Sequence, residues 1–281
     1  MCRWLAYSGG NTLLENVLIK PEENLIEQSF NARRMTKPTN GDGFGIGWYD
    51  GQETPGTYHS IRPAWNDFNV RELAAHISSP LFLAHVRATS LATVQETNCH
   101  PFKFGKWLFV HNGLIANAGK LRRDMLIEVA QQYVENILGT TDSELMFYLA
   151  LTFGLENDPQ GALERMASFV EKVAFSHGIN DALWMTLGIT DGETLYSVRY
   201  ASDGKGPSLY YSPTSDDFCK VNPDIKDKFG DKARAVVSEP PGKYPEIWGE
   251  VPQSTFLIVR DGDIEMRPFK PGPSRTTTSG S

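Results

Sequence analysis

The chain has 281 residues, of which 40% are hydrophobic and 22% are charged, and such a composition is typical of a globular protein with a sizeable core. Its net charge of −7 argues against general binding to nucleic acids or anionic membranes, because such binders concentrate lysine and arginine against phosphate. Three cysteines are an odd number in a long chain, so we expect no disulfide framework and a cytoplasmic location.

The sequence shows neither a secretory signal nor a membrane span of about 18 apolar residues. The first half of the chain is predicted to be mostly β-strand. Short apolar or alternating segments bounded by glycine, proline, asparagine and aspartate are typical of strands. These segments occupy residues 2–7, 44–49, 58–63, 81–88 and 106–112.

Three helices are predicted next, because apolar residues recur there at three- and four-residue spacing. The first two have a candidate N-cap residue, whose side chain can accept a hydrogen bond from the first turn, and Asp158-Pro159 starts the third. The helices are 118–137 after Asn117, 142–153 after Thr141, and 160–177 after Asp158-Pro159.

Strands return after the helices, with a hairpin predicted around Asp191-Gly192 and a surface loop within 202–232. The order of strands, helices and strands differs from the alternation of a doubly wound sheet, and it predicts an α+β fold of packed sheets covered by helices. We expect one domain over residues 1–270 and a disordered tail over 271–281. The returning strands are predicted at 183–190, 193–201, 208–213, 233–238 and 254–269.

Cys2 directly follows the initiator methionine. A free cysteine is most often a small buried apolar residue. After removal of Met1, however, Cys2 would carry both a thiol and an α-amine with a reference pKa of about 7.7–8.0, and this amine can serve as a base for the thiol. Such an N-terminal nucleophile needs hydrogen-bond donors that stabilise the oxyanion of a tetrahedral intermediate.

Residues that can assist such a nucleophile follow in the sequence. Asn112-Gly113 ends a predicted strand, where a side-chain amide and a backbone N–H can converge on one point. Arg87 ends another strand, with Asn98 further on, and Asp142 lies in the first turn of a helix. A guanidinium and a carboxylate near a thiolate supply one charge for each end of an α-amino acid, so the pattern indicates an amino-acid amide as substrate.

The histidines near these residues do not have the spacing of a metal site. His85, His100 and His111, with Cys99, form neither a helical H-x-x-x-H pair nor a C-x-x-C pair. We therefore predict no metal site, and we expect these histidines either to be structural or to support the residues that contact the substrate. The glycine-rich stretch 41–47 lacks the Lys-Ser/Thr end of a phosphate-binding loop, so no nucleotide cofactor is predicted.

The sequence resembles the class II glutamine amidotransferases, whose glutaminase domains are N-terminal nucleophile hydrolases. More narrowly, MCRWLAY, RPAWND and QETNCHPF resemble a stand-alone bacterial subgroup that includes the γ-glutamyl hydrolase of ergothioneine synthesis. The motifs that carry the family resemblance are, in order, Cys2, NGDGFGIGW at 40–48, HVRA at 85–88 with His100-Pro101 after it, HNG at 111–113 and TDSE at 141–144.

This resemblance implies an αββα four-layer sandwich with two antiparallel sheets, formed by a single glutamine amidotransferase type 2 domain. It implies that Cys2 is the nucleophile and its α-amine the base, and that Asn112 and the Gly113 amide form the oxyanion hole. Arg87 would bind the substrate α-carboxylate and Asp142 its α-ammonium. The residues implied to line the substrate pocket or its covering loop are Asp42, Gly43, Ser90 and His100.

The implied reaction is hydrolysis of the γ-amide of L-glutamine through a γ-glutamyl thioester on Cys2, without metal or cofactor. We expect no room for an acceptor domain, so the ammonia would be released or delivered to a partner protein. The alternatives are a hydrolase of a larger γ-glutamyl conjugate, a thiol hydrolase of other acyl amides, and a non-catalytic γ-glutamyl-binding subunit. Asn40-Gly41 stand where synthase-linked members carry Arg-Gly before the aspartate, so we expect a different lid.

Overall fold

The computed structural model of the protein describes residues 2–30, 39–88, 93–220, 228–242 and 245–272. Within these ranges the chain forms two β-sheets with helices on their outer faces. The strands are β1 (Arg3–Leu13), β2 (Phe44–Trp48), β3 (Gly56–Ser60), β4 (Ser78–Val86), β5 (Phe102–Phe104), β6 (Trp107–Ile115), β7 (Leu183–Thr190), β8 (Thr194–Ala201), β9 (Tyr210–Tyr211), β10 (Arg234–Val237), β11 (Gly249–Glu250), β12 (Thr255–Arg260) and β13 (Asp263–Pro268). The α-helices are α1 (Glu15–Leu18), α2 (Leu25–Phe30), α3 (Phe68–His76), α4 (Ala118–Glu128), α5 (Gln131–Val134), α6 (Asp142–Thr152), α7 (Pro159–Ser176) and α8 (Ser215–Lys220).

Both sheets are antiparallel. The first has the strand order β11-β9-β10-β1-β4-β2-β3, and the second has the order β13-β12-β8-β7-β6-β5. Strand β1 lies near the middle of the first sheet, between β10 and β4, and β6 pairs with β7 in the second sheet. The residue directly before β1 and the residues at the end of β6 are therefore held in place by well-paired strands.

The alternation of side chains along β1 shows how the layers are built. Leu5 and Tyr7 lie in a core shared with the apolar residues of α1, α2, α3 and α8, whereas Trp4 and Ala6 lie in a second core. Because successive side chains of a strand point to opposite faces, one face of β1 packs on helices and the other packs on the second sheet.

Strand β6 shows the same alternation in the second sheet. Leu108 and Val110 join Trp4 in the core between the sheets, whereas Phe109 joins the apolar residues of α4, α6 and α7. The layers are therefore helix, sheet, sheet and helix. The predicted αββα sandwich with two antiparallel sheets is confirmed.

One of the two predicted helix caps forms as expected, and the predicted start of the third helix is also capped. The Thr141 hydroxyl accepts a hydrogen bond from the Glu144 N–H, and the Asp158 carboxylate accepts one from the Gly161 N–H. Asn117 precedes α4 in a left-handed conformation with φ of 53°, and its side chain makes no capping hydrogen bond, so that prediction is wrong. Asparagine tolerates this backbone conformation better than most residues, and here Asn117 forms the turn before α4 without capping the helix.

Other differences concern short elements. The helix predicted over 118–137 is broken into α4 and α5, and α8 lies inside the loop predicted over 202–232. Helices of four to nine residues are too short to show a clear periodicity, which also explains why α1 to α3 were not predicted. Residues 273–281, most of the predicted tail, lie outside the described ranges. No helix in the described part is both long and apolar enough to cross a membrane.

Candidate active site

The pairing of β1 with β4 places Cys2 beside Arg87. In this antiparallel pair Arg3 lies opposite Val86, so the residue before β1 and the residue after β4 are neighbours. They lie where these strands end, at the edge of the sheet that we call the Cys2 edge. The Cys2 sulfur accepts a hydrogen bond from the Ala88 N–H at 3.4 Å, and the thiol lies 3.6 Å from the Ala88 carbonyl oxygen. The half-buried thiol is therefore held by the backbone that follows β4.

The segment before β2 is bound to Arg87 on its other side. The Asp42 N–H donates to the Arg87 carbonyl oxygen at 3.1 Å, and the Arg87 N–H donates to the Gly43 carbonyl oxygen at 2.8 Å. Gly43 has a φ of +114°, and a Cβ at this position would lie 2.8 Å from the Cys99 sulfur. Only glycine fits there without strain. The two backbone hydrogen bonds place Asp42 and Gly43 next to Arg87.

Contacts between the sheets bring the end of β6 to the same edge. The Tyr49 N–H donates to the Leu81 carbonyl oxygen at the start of β4, and its hydroxyl donates to the Lys106 carbonyl oxygen just before β6. Further along both strands, the His85 ring donates to the His111 carbonyl oxygen at 3.2 Å. Strands β4 and β6 therefore run in the same direction, and both end at the Cys2 edge.

Asn112 and Gly113 occupy this end of β6. The Asn112 side chain is 5% exposed, and its Oδ1 is buried without a hydrogen bond to any described residue. Its amide is therefore not fully used by the fold. A Cβ at Gly113 would overlap the Trp184 carbonyl group and lie 2.6 Å from the His111 ring, so the backbone there requires glycine.

The N-terminus of α6 is joined to the end of β6. One oxygen of the Asp142 carboxylate accepts from the Ile115 N–H at 2.9 Å, and the other accepts from the Ser143 N–H at 2.8 Å. The Ser143 hydroxyl and the His111 ring are hydrogen-bonded at 2.7 Å. These bonds keep the carboxylate close to the residues of the HNG motif.

The charges of Arg87 and Asp142 both act on the Cys2 thiol. Burial raises the pKa of this thiol above its ordinary value, and the Ala88 N–H and the Arg87 guanidinium partly oppose the rise. The Asp142 carboxylate raises the pKa of the thiol further. The two opposite charges therefore lie close enough to Cys2 to affect its ionisation, and the thiol needs a base to become a nucleophile.

The three histidines form a buried group near this edge. His85 and His100 have their ring centroids 4.1 Å apart, and His100 also packs on Phe102 at 4.5 Å. Burial lowers the pKa of His85 to about 3 and lowers the pKa of His100 and of His111. The structure thus places His100, which was predicted to line the pocket, in this buried stack with 3% exposure.

Ser90 lies outside the described ranges. Among the residues that the structure describes, no group of three or more histidine, cysteine, aspartate and glutamate side chains is arranged to hold a metal ion.

Sequence reasoning missed Arg3, which is buried directly after Cys2. Its guanidinium donates to the Glu239 carboxylate at 2.6 Å, to the Asn40 side chain at 2.9 Å and to the Gln28 carbonyl oxygen at 3.4 Å. These bonds connect the start of β1 to the segment that leads to Asp42. A charged residue directly before the apolar run WLAY is the signal that could have identified it.

Comparison with known proteins agrees with this geometry. The family model for class-II glutamine amidotransferases matches residues 20–280. The "Probable glutamine amidotransferase DUG3" of Saccharomyces cerevisiae is 30% identical, and the match covers 96% of this chain and 84% of that protein. The γ-glutamyl-hercynylcysteine sulfoxide hydrolase of Mycolicibacterium smegmatis is 32% identical, with 96% of this chain and 100% of that protein covered.

Solved structures show the same relationship. A glutamine aminotransferase class-II domain protein from Silicibacter pomeroyi is 32% identical, and it superimposes with a TM-score of 0.72 over 96% of this chain and 100% of that one. The glutamine phosphoribosylpyrophosphate amidotransferase of B. subtilis shares the fold at 15% identity, with a TM-score of 0.61 over 96% of this chain and 49% of that one. The chain therefore belongs to the class II glutamine amidotransferases, and it is an enzyme of the N-terminal nucleophile type.

Proposed function

We propose that the protein hydrolyses the γ-amide of L-glutamine, with Cys2 as the nucleophile after removal of Met1. The observation that carries this proposal is the meeting of a thiol, a guanidinium and a carboxylate at one edge of the two sheets, where a side-chain amide also ends β6. These groups belong to Cys2, Arg87, Asp142 and Asn112.

The environment of Arg87 favours a role in binding an anion. The residue is 3% exposed. Among the described residues, its guanidinium donates hydrogen bonds to the carbonyl oxygens of Asp42 and Thr93. A buried charge whose described partners are all neutral is costly unless a counter-ion binds. We assign this role to the α-carboxylate of the substrate, which a planar guanidinium can bind through two parallel hydrogen bonds.

Asp142 would bind the α-ammonium group at the other end of the same amino acid. A substrate held by both charges would place its γ-amide toward Cys2. The binding energy of the amino-acid head would then orient the reacting carbonyl group. Asp42 and Gly43, which are bonded to the Arg87 backbone, would border this site.

The reaction would proceed through two steps. The Cys2 α-amine accepts the thiol proton, and the sulfur attacks the γ-carbonyl carbon while the Asn112 side-chain N–H and the Gly113 N–H stabilise the oxyanion. The proton passes to the amide nitrogen, the C–N bond breaks, and ammonia leaves a γ-glutamyl thioester. Water then attacks the thioester carbon, the C–S bond breaks, glutamate is released and the thiol recovers its proton.

Hydrolysis of a larger γ-glutamyl conjugate is the second candidate function. It is supported by the Mycolicibacterium smegmatis relative, which is named for such a reaction and whose whole length matches 96% of this chain. Both reactions use the same γ-glutamyl head and the same thioester, and they differ in the leaving group. An ammonia-accepting protein partner would serve only the first reaction.

Covalent labelling tests the proposal. We would record the intact mass of protein produced with its native N-terminus, before and after incubation with a diazo-ketone analogue of glutamine, and locate the adduct by fragmentation. The expected result is a chain without Met1 that carries one adduct on Cys2. Assays of ammonia release from glutamine, and of amine release from γ-glutamyl anilides, then distinguish the two candidate reactions.

Matched cysteine variants complete this test. Cys2→Ala should abolish both the adduct and turnover, whereas Cys219→Ala, in the buried face of α8, should keep both. A chain that lacks Met1 and forms no adduct, or a Cys2→Ala variant that keeps full turnover, would contradict the proposal.

A further inference from the structure

Asn98 is a fully buried amide at the end of the 3₁₀ turn Glu96–Asn98. Its Nδ2 donates to the Thr93 carbonyl oxygen at 2.9 Å and to the Thr140 hydroxyl at 3.0 Å. Its Oδ1 accepts from the Thr140 N–H at 2.7 Å. Because a backbone N–H can only donate, this last bond defines which end of the amide is the oxygen.

One of these bonds leads to Arg87. The Thr93 carbonyl oxygen that accepts from Asn98 also accepts from Nη2 of Arg87 at 3.2 Å. The guanidinium and the Asn98 amide therefore share one acceptor. The position of that carbonyl group affects where the Arg87 side chain lies.

The other two bonds lead to Asp142. Thr140 lies two residues before Asp142, directly before Thr141, which caps α6. A Cβ at Gly139 would lie 2.5 Å from the Asn98 oxygen, so the segment before α6 packs closely against the amide. Asn98 therefore bonds both to the acceptor of Arg87 and to the segment that begins the helix of Asp142.

We infer that Asn98 is a positioning residue that sets the separation between Arg87 and Asp142, and thereby selects substrates that carry both an α-carboxylate and an α-ammonium group. This inference rests on the proposed function. An amide suits the task because it donates twice and accepts at once, which neither a carboxylate nor a hydroxyl of similar size can do. Arg122 and Glu144 also hold residues 138–140, so loss of the Asn98 bonds should shift this segment without releasing it.

Two variants test the inference. Asn98→Asp keeps the acceptor but replaces the donor that faces Thr93 and the Thr140 hydroxyl, and Thr140→Val removes that hydroxyl at an exposed position. With a γ-glutamyl anilide as substrate, we expect KM to rise about tenfold in each, because a broken buried hydrogen bond has about that effect on binding. Since neither residue touches the reacting atoms, kcat should stay within about twofold of the parent value.

Competitive inhibitors separate positioning from general damage. The inhibition constant of L-glutamate, which carries the α-ammonium group, should rise about as much as KM, whereas that of glutarate, which lacks this group, should change by less than about threefold. Asn136→Asp makes the same chemical change at an exposed site and should keep the parent constants. Thermal unfolding of each variant verifies that the fold is intact.

The outcomes also separate this inference from the proposed function. If the parent enzyme is active and both variants keep its KM, or lose affinity for glutamate and glutarate equally, the role of Asn98 is overturned. The proposed function is not affected by that result. If the parent neither hydrolyses γ-glutamyl compounds nor binds glutamate, the proposed function fails and the inference fails with it.

Discussion

Mild acid should destabilise the protein through its buried histidines. His85, His100 and His111 are 0%, 3% and 2% exposed, and burial lowers the pKa of each, to about 3 for His85. In an unfolded chain a histidine titrates near 6.5. Between about pH 6.5 and pH 3 the unfolded state therefore binds protons that the folded state does not, so stability falls as the pH falls through this window.

The contribution of His85 can be worked out from its two pKa values. A shift from about 6.5 in the unfolded chain to about 3 in the folded one costs roughly 2 kcal/mol at pH 5 relative to pH 8, since each pH unit below 6.5 adds about 1.4 kcal/mol. The structural reason lies in its surroundings. Burial is the main cause of the lowered pKa, and the Arg87 guanidinium adds a nearby positive charge. The bond that one ring nitrogen donates to the His111 carbonyl oxygen partly opposes this shift, and the other ring nitrogen has no partner among the described residues.

Urea unfolding at pH 7.5, 6.0 and 5.0 measures this effect in three proteins: the parent, His85→Gln and His76→Gln. The first variant should be less stable at pH 7.5 but should lose about 2 kcal/mol less than the parent on going to pH 5. The second replaces an exposed histidine and should keep the pH dependence of the parent. Burial raises the pKa of Glu144, which acts in the opposite direction, so the comparison between variants isolates His85. An unchanged pH dependence in His85→Gln would refute the reasoning.

Substitutions at three further positions have expected effects on the free energy of unfolding, measurable by urea denaturation. Gly45→Ala should destabilise by about 3 kcal/mol, because a Cβ there would overlap the His100 carbonyl oxygen; near-parent stability would contradict this packing. Gly119→Ala is the matched control in α4, where a Cβ would meet no described atom within 4 Å outside its own helix and chain neighbours, and it should stabilise by up to about 1 kcal/mol. Thr141→Ala should cost about 1 kcal/mol by removing the cap of α6, whereas Thr141→Ser should keep it.

Much of the local structure and the family could be read from residues close together in the sequence. Thr141 and Asp158 cap helices because their side chains reach backbone groups three residues away. The order of strands, helices and strands indicated packed sheets, and in the structure β1 and β6 each bury apolar side chains on both faces. The order of motifs after Cys2 indicated the family before any geometry was known.

The meeting of the site residues required the folded chain. Cys2 bonds to Ala88, 86 positions away, and Asn98 bonds to Thr140, 42 positions away. The burial of His100 beside His85, and the role of Arg3 as a link to Asn40, depend likewise on strand register and on the packing of one sheet on the other. Hydrogen bonds and side-chain alternation within a few residues determine where elements form. Which side chains then meet depends on contacts between elements distant in sequence, which no local pattern encodes.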